Sequence, residues 1–332
     1  MPPTSASRGP RLNGEVVARF TRDLAALADP HATVLIAVSG GPDSVALLLL
    51  SHAALGDRCS AATVDHGLRP ESSGEAAWVA GLCAARGIRH ATLTAQLPDR
   101  AGRTANLSAR ARDLRYRLLE EQADAIGADH IATAHHADDQ AETLIMRLNR
   151  GAGVAGLAGV RARSGRIIRP LLGWRHAELV ALVATQGIDP VDDPSNVSDR
   201  FDRARLRKAL ATIDWLDTGR VAASATALGD ADDALLWMVD RLAEQLCHRD
   251  TAGIALTVPN DLPFELRRRL VERCVTDLDT MASLRGSALA AAVRTLESGR
   301  PAMLGNVLAQ PAPAGEAGGE WRFSMAPPRR SV

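Results

Sequence analysis

The sequence predicts an α/β protein: a parallel sheet covered by helices on both faces, followed by a smaller, mainly helical C-terminal domain. Three observations carry this expectation. Strand-like and helix-like patterns alternate through the first half of the 332-residue chain, as crossover-connected parallel strands require. The apolar run Val34-Leu-Ile-Ala-Val38 shows no polar alternation, which suits a strand buried on both faces. After about residue 215 the alternation gives way to amphipathic helical patterns.

Taken in order, a helix over residues 13–29 precedes a strand at 33–38, and a helix at 44–55 leads to a strand at 60–65. A helix from Ser73 to Arg86, a strand from Arg89 to Thr94, a long helix from Leu107 to Ile126 and a strand from His130 to Ala134 continue the series. In the C-terminal part, Leu228–Leu246, Leu262–Leu278 and Ser287–Leu296 read as amphipathic helices. Gly305–Leu308 and Glu320–Ser324 read as two short strands flanking a Pro/Gly/Ala linker, Gln310–Gly319. The expected boundaries are a disordered start over 1–12, a first domain over 13–215, a C-terminal domain over 216–326 and a basic tail over 327–332.

Composition narrows the class. An apolar fraction of 46% with 3% aromatic residues fits a soluble protein with an aliphatic core. No segment approaches the roughly 18 uninterrupted apolar residues of a membrane span, and residues 1–10 lack the apolar core of a signal peptide, so a cytoplasmic protein is expected. Cys59, Cys83, Cys247 and Cys274 are scattered with no Cys-x-x-Cys pair; no zinc or iron–sulfur cluster is expected. The net charge is zero, so contact with nucleic acid has to come from local basic patches. Arg200–Lys208 and Arg267–Arg269 are two such patches.

The chemistry concentrates where predicted strands end, the place at which open α/β sheets bind ligands. The first strand stops at Ser39-Gly40-Gly41-Pro42-Asp43-Ser44 and a helix begins at once. Glycines let bare amides approach an anion, and the helix N-terminus adds its positive end. A Walker loop needs a lysine, yet the only lysine of the chain is Lys208; Gly-x-Gly-x-x-Gly is absent from this loop as well, removing the main support for a dinucleotide fold. The loop therefore resembles the PP-loop of ATP pyrophosphatases, which cleave between the α and β phosphates. Asp43, its one carboxylate, is the candidate to hold Mg2+ on ATP.

At the next strand end, Asp65 and His66 are candidates to contact adenosine or the acceptor, with a turn stabilised by Asp and Gly as the alternative. At the fourth, a helix starting near His135 or His136 puts His135, Asp139 and Glu142 on one face at i, i+4 and i+7. That face suits a catalytic surface, a metal site or a capped helix start. Two histidines and three acids within eight residues exceed the needs of capping, which favours a site that positions an acceptor and handles protons beside Mg2+-bound ATP. Arg203 and Arg207 lie one helical turn apart and suit RNA or triphosphate oxygens, or a solvated basic face.

Six segments in register, Ser39–Ser44, Asp65–Arg69, Asn106–Tyr116, Ala134–Thr143, Arg169–Leu172 and Asp193–Asn196, resemble the tRNA(Ile)-lysidine synthetase family over about residues 33–210. The resemblance implies a Rossmann-like, adenine-nucleotide alpha-hydrolase-like PP-loop domain that binds ATP and catalyses, followed by a helical C-terminal region, which reads either as a small tRNA-contacting domain with Arg267–Arg269 as candidates or as a purely structural cap. It implies adenylation of C2 of the wobble cytidine of CAU-anticodon isoleucine tRNA, then attack by free L-lysine with loss of AMP. Carried over by position, Ser39, Gly40, Gly41, Pro42, Asp43 and Ser44 bind ATP, Asp43 binds Mg2+, and His135, Asp139 and Glu142 form the catalytic cluster. Arg112 and Arg115 become candidate tRNA or phosphate contacts beside Arg203 and Arg207. Two departures stand out: Ala204 where the family has Asn, and Ser108 where an acid is common. A PP-loop tRNA thiolase and a non-catalytic nucleotide-binding module are the competing readings.

Overall fold

The computed structural model describes residues 11–65, 67, 72–95, 107–191, 202–282, 284, 286–312 and 319–326. They form two compact units: one runs through Arg147 and resumes over Gly159–Thr226, and the other joins Leu148–Ala158 to the residues from Ala227 onward.

In the first unit, α1 (Gly14–Ala25), β1 (Val34–Ala37), α2 (Pro42–Leu55), β2 (Cys59–Asp65), α3 (Ser72–Ala85), β3 (Arg89–Thr94), α4 (Leu107–Ile126), β4 (His130–Ala132) and α5 (Ala137–Leu148) follow the predicted alternation. After the short α6 (Val154–Leu157) of the other unit come β5 (Arg163–Ser164), β6 (Ile167–Ile168), α7 (His176–Thr185) and α8 (Asp202–Ala211). The sheet order is β3-β2-β1-β4-β6-β5. β1 is parallel to both neighbours, Ile36 pairing with Ala61 on one side and Ala132 on the other. β5 alone in this sheet runs antiparallel, against β6.

This order explains the position of the site. The chain walks outward from β1 through β2 to β3, then returns to place β4 on the opposite side of β1. The connections leaving β1 and β4 diverge, which opens a crevice beyond their carboxyl ends. The loop after β1 and the histidines after β4 are therefore brought together although about ninety residues separate them.

Burial supports the same core. Leu35 and Ile36 of β1 and Val45–Leu48 and Leu50 of α2 have no exposed surface. Helix α2 is apolar all round because the sheet lies on one side and Phe20 and Leu24 of α1 with Leu179, Leu182 and Val183 of α7 share its cluster. Each such aliphatic side chain contributes about 1.5–3 kcal/mol relative to exposure.

The second unit contains most of α9 (Thr218–Leu246), β7 (Cys247–Asp250), β8 (Gly253–Val258), α10 (Phe264–Leu278), α11 (Gly286–Glu297), β9 (Ala302–Leu304), β10 (Val307–Pro311) and β11 (Gly319–Met325). Helices α10 and α11 match their predicted spans closely, whereas α9 ends as predicted at Leu246 but begins at Thr218 rather than Leu228. The strands form an antiparallel sheet ordered β7-β8-β11-β10-β9, larger than the two strands read from sequence. β7 and β8 make a hairpin whose turn is tied by Asp250, its carboxylate accepting from the Ala252 and Gly253 amides at 2.7 and 3.0 Å. Gly253 sits at φ +143°, and a Cβ there would lie 2.0 Å from the Phe323 carbonyl oxygen, so the close approach of β11 requires glycine.

Arg267–Arg269 are committed within this unit. Arg267 pairs with Glu297 at 2.5 Å, Arg268 with Glu265 and Glu272 at 2.7 and 3.4 Å, and Arg269 with Asp232 at 2.5 Å and Glu265 at 2.8 Å. Arg269 and Asp232 are both buried. What reads as a basic patch in sequence is an internal ion-pair network in the fold.

Candidate active site

The loop between β1 and α2 is a closed turn. Gly40 adopts φ +93°, and a Cβ there would meet Val191 at 3.1 Å; the Val191 amide donates to the Gly40 carbonyl at 3.1 Å. The Ser44 hydroxyl donates to the Gly41 carbonyl at 2.9 Å and accepts from the Ser39 amide at 3.1 Å. Gly41 caps α2 without a side-chain bond and Pro42 occupies its first turn, where a missing N–H costs nothing. The free amides of the α2 N-terminus thus remain available to an anion.

Asp43, in that first turn, faces two histidines. Its Oδ1 lies 2.8 Å from His176 Nδ1 and its Oδ2 3.6 Å from His136 Nε2. Burial alone would raise the Asp43 pKa; hydrogen bonding to His136 and His176 and their charges outweigh it and hold the carboxyl well below the usual range. Burial works against a charged His136 too, but the Asp43 bond and the charges of Asp139, Asp43 and Asp138 win and raise its pKa.

Helix α5 starts at Ala137, beyond both His135 and His136, so His135 is not on its face. His136 stands at its entry: its amide donates to Asp139 Oδ2 at 3.2 Å, and the Asp139 amide approaches His136 Nδ1 at 3.4 Å, a reciprocal arrangement of the capping-box kind. His136, rather than His135, therefore faces Asp43 and Asp139, its Nε2 lying 3.6 Å from each carboxylate. His135 projects from the preceding loop, with Nδ1 3.0 Å from the Thr133 hydroxyl. Burial pushes its pKa down to about 4; Asp139 opposes this, while Arg169, Arg112 and Arg115 reinforce it.

Glu142 is buried and clamped. Arg207 Nε donates to it at 2.6 Å, and Arg203 Nε lies 3.8 Å away. Arg207 also reaches within 3.8 Å of Asp139. The two arginines read as RNA or triphosphate ligands thus hold α8 against α5. Ala204 between them is buried, so the family's polar side chain at that position has no counterpart here. Arg112 and Arg115 lie 5.1 and 5.4 Å from the Tyr116 ring centroid, and neither has a carboxylate partner among the described residues.

At the neighbouring strand end, the Asp65 carboxylate accepts from the Gly67 amide at 2.9 Å and the Ser72 hydroxyl at 2.6 Å, the geometry of a turn anchor. His66, Asn106, Asp193–Asn196 and the side chain of Ser108 lie outside the described residues.

Sequence reasoning missed three participants. Asp138 looks like an N-cap of its own helix, yet it accepts from the His176 amide at 2.8 Å, Arg175 Nε at 3.1 Å and the Thr218 hydroxyl at 2.8 Å. It thereby fixes the start of α7 and delivers His176 to Asp43. Arg169 is buried, donates to the Arg161 carbonyl at 2.6 Å and leaves its Nε without an acceptor. The signals for Arg169 and Asp138 were their motifs, Arg169–Leu172 and Ala134–Thr143, which gave neither its partners; His176 offered none, because its contact with Asp43 depends on topology.

A buried parallel strand, a glycine turn and a helix N-terminus at the switch point of the sheet define a nucleotide-binding α/β protein of the PP-loop class, and the PP-loop domain family matches residues 14–213. Among solved structures, U34-tRNA thiolase NcsA from Methanococcus maripaludis, with its [4Fe-4S] cluster, is similar in fold, with a TM-score of 0.52 at 17% identity over 65% of this chain and 80% of that one. Sequence relatives are more specific. The chain is 48% identical over 331 residues to the tRNA(Ile)-lysidine synthase of Novosphingobium aromaticivorans, spanning 97% of both chains. It is 38% identical to that of Zymomonas mobilis over 90% of this chain and 89% of the other. The chain belongs to the tRNA(Ile)-lysidine synthase family. No helix among the described residues is long and apolar enough to cross a membrane.

Proposed function

We propose that the protein joins free L-lysine to C2 of the wobble cytidine of CAU-anticodon isoleucine tRNA, so that the codon AUA is read as isoleucine. The observation that carries this reading is the 48% identity to a tRNA(Ile)-lysidine synthase across nearly the whole of both chains. In the first step the C2 oxygen attacks the α-phosphorus of ATP and pyrophosphate leaves. In the second the lysine amine attacks C2 and AMP departs with the oxygen.

Both nucleophiles belong to substrates, so this chain's task is positioning and charge neutralisation. The Ser39–Ser44 turn and the α2 N-terminus receive the phosphates. Asp43 and Asp139, whose carboxylates face the same His136 nitrogen at 3.6 Å, are hard oxygen donors of the kind Mg2+ prefers and would hold it; bound there, the ion neutralises phosphate charge. His135 has a pKa near 4, so at neutral pH it is an uncharged hydrogen-bonding group for the base or the amine. Arg112, Arg115 and Arg169 supply positive charge without carboxylate partners among the described residues, suited to an RNA or pyrophosphate oxygen. Glu142, held by Arg203 and Arg207, orders the α5 face that carries Asp139. The second unit offers tRNA a surface in which Arg267–Arg269 take no direct part. A cytoplasmic location accords with these substrates.

The test is incubation with ATP, Mg2+, lysine and CAU-anticodon isoleucine tRNA, following pyrophosphate and the mass of the wobble nucleoside. Pyrophosphate release that depends on the tRNA, with a lysine-dependent, lysidine-sized mass gain, is expected; ADP formation, or an unchanged cytidine mass, overturns the reading.

A further inference from the structure

Histidine nitrogen is a poor ligand for Mg2+, which favours oxygen and keeps much of its water. The two side chains in closest contact with Asp43 are nevertheless histidines. The donor atoms of Asp43, His136 and His176 all lie within 4.8 Å of one another. His176 Nδ1 lies 2.8 Å from Asp43 Oδ1 and His136 Nε2 3.6 Å from Asp43 Oδ2, so each nitrogen stands beside one of the two carboxylate oxygens at a distance near the spacing of about 3.3–3.4 Å between neighbouring ligands of a tetrahedral ion with bonds of about 2.0–2.1 Å.

We infer that Asp43, His136 and His176 form a two-histidine, one-carboxylate site for a transition dication of the Co2+ or Zn2+ class, in competition with Mg2+ for Asp43. Two nitrogens and one carboxylate oxygen leave a fourth position for water or a phosphate oxygen, the pattern of open rather than closed metal sites.

Independent support comes from the surroundings of the ligands. The outer ring nitrogen of His136 faces a carboxylate, as ligating imidazoles commonly do: Nδ1 lies 3.7 Å from Asp138 Oδ2, a charge contact longer than a hydrogen bond. The same Asp138 fixes the first amide of α7, so one carboxylate orients His176 and stands beside His136. His136 is buried and therefore restrained, whereas His176 is half exposed, which provides an entry path. The third ligand lies forty residues beyond the second, which is why the chain carries no zinc signature. Cation binding at His136 Nε2 releases the proton of that nitrogen to solvent.

This site is independent of the lysidine reading, and its test uses neither ATP nor tRNA. The full-length protein is titrated with Co2+ and visible absorption recorded. A ligand-field band saturating at one equivalent is expected, weakened in affinity at least ~10-fold in His176→Gln and in Asp43→Asn, with circular dichroism unchanged, and shifted to higher apparent Kd by excess Mg2+. Cys247→Ser, which alters the cysteine pair at 3.7 Å in the second unit, leaves the band in place. Absence of the band, equal affinity in His176→Gln, or loss of the band in Cys247→Ser overturns the assignment. Failure of the lysidine assay with an intact cobalt band overturns only the reaction.

Discussion

The two units use arginine in opposite ways. In the second, Arg267, Arg268 and Arg269 are adjacent in sequence and every guanidinium meets a carboxylate of the same unit, Arg269 in a fully buried pair with Asp232. In the first, Arg112 and Arg115 of α4 and Arg169 beyond β6 come from separate elements, yet their charges act together on His135 and none has a carboxylate partner among the described residues. Clustering in sequence marks charge matched within the fold here, and convergence from separate elements marks charge with no carboxylate beside it among the described residues. A run of basic residues along a helix is easily matched by acids at i−4 or i+4, as Glu265 is for Arg269; charges gathered from separate elements have no such local match.

The contrast can be broken or sharpened by substitution. The largest effect is expected for Asp232→Ala, which leaves Arg269 buried without its main partner and costs about 3–5 kcal/mol. Urea denaturation followed by circular dichroism reads this as a lower midpoint, and a loss under about 1 kcal/mol removes the structural role of the network. Next, Asp43→Ala lowers pyrophosphate release about 10²–10³-fold with an unchanged far-ultraviolet spectrum, because Asp43 lies at a partly exposed helix start; an active variant refutes its assignment.

A smaller effect concerns pH. The folded pKa of His136 is raised, so the stability it contributes is fully present below the unfolded value of about 6.5 and is lost as pH rises through the folded value. The stability difference between the native protein and His136→Gln therefore shrinks from pH 6 toward pH 9 in urea titrations, and a difference independent of pH shows that the ring is not charged in the fold. The smallest effect separates the two sets of arginines. Arg112→Ala lowers the slope of log affinity for tRNA against log salt by about 1, the contribution of one phosphate contact, whereas Arg268→Ala leaves that slope unchanged. The reverse result inverts the comparison.

Much of the first unit was legible because its signals are local. The α4 span from Leu107 to Ile126 is reproduced at both ends, and the β1 run and its glycine turn needed only a buried strand and a backbone able to reach φ +93°. The helix after β4 was less legible. Its start at Ala137 depends on the reciprocal contact of His136 with Asp139, which exchanges the histidine that faces the loop. Glu142, Arg203 and Arg207 were recognised as a charged group, but only packing of α8 on α5 shows them neutralising one another. In the second unit the hairpin from Cys247 to Val258 was missed: β7 is short and mostly exposed, so it lacks the apolar run that marks a strand.

By itself the sequence determined the α/β class, the phosphate loop and the family, because each follows from neighbouring residues: an apolar run, a glycine turn, motifs in fixed order. Tertiary structure alone decided which charges are spent and which are free, and that His176 meets Asp43. Those outcomes depend on distances across the switch point of the sheet, where β4 returns beside β1 and residues remote in the chain come within 3 Å.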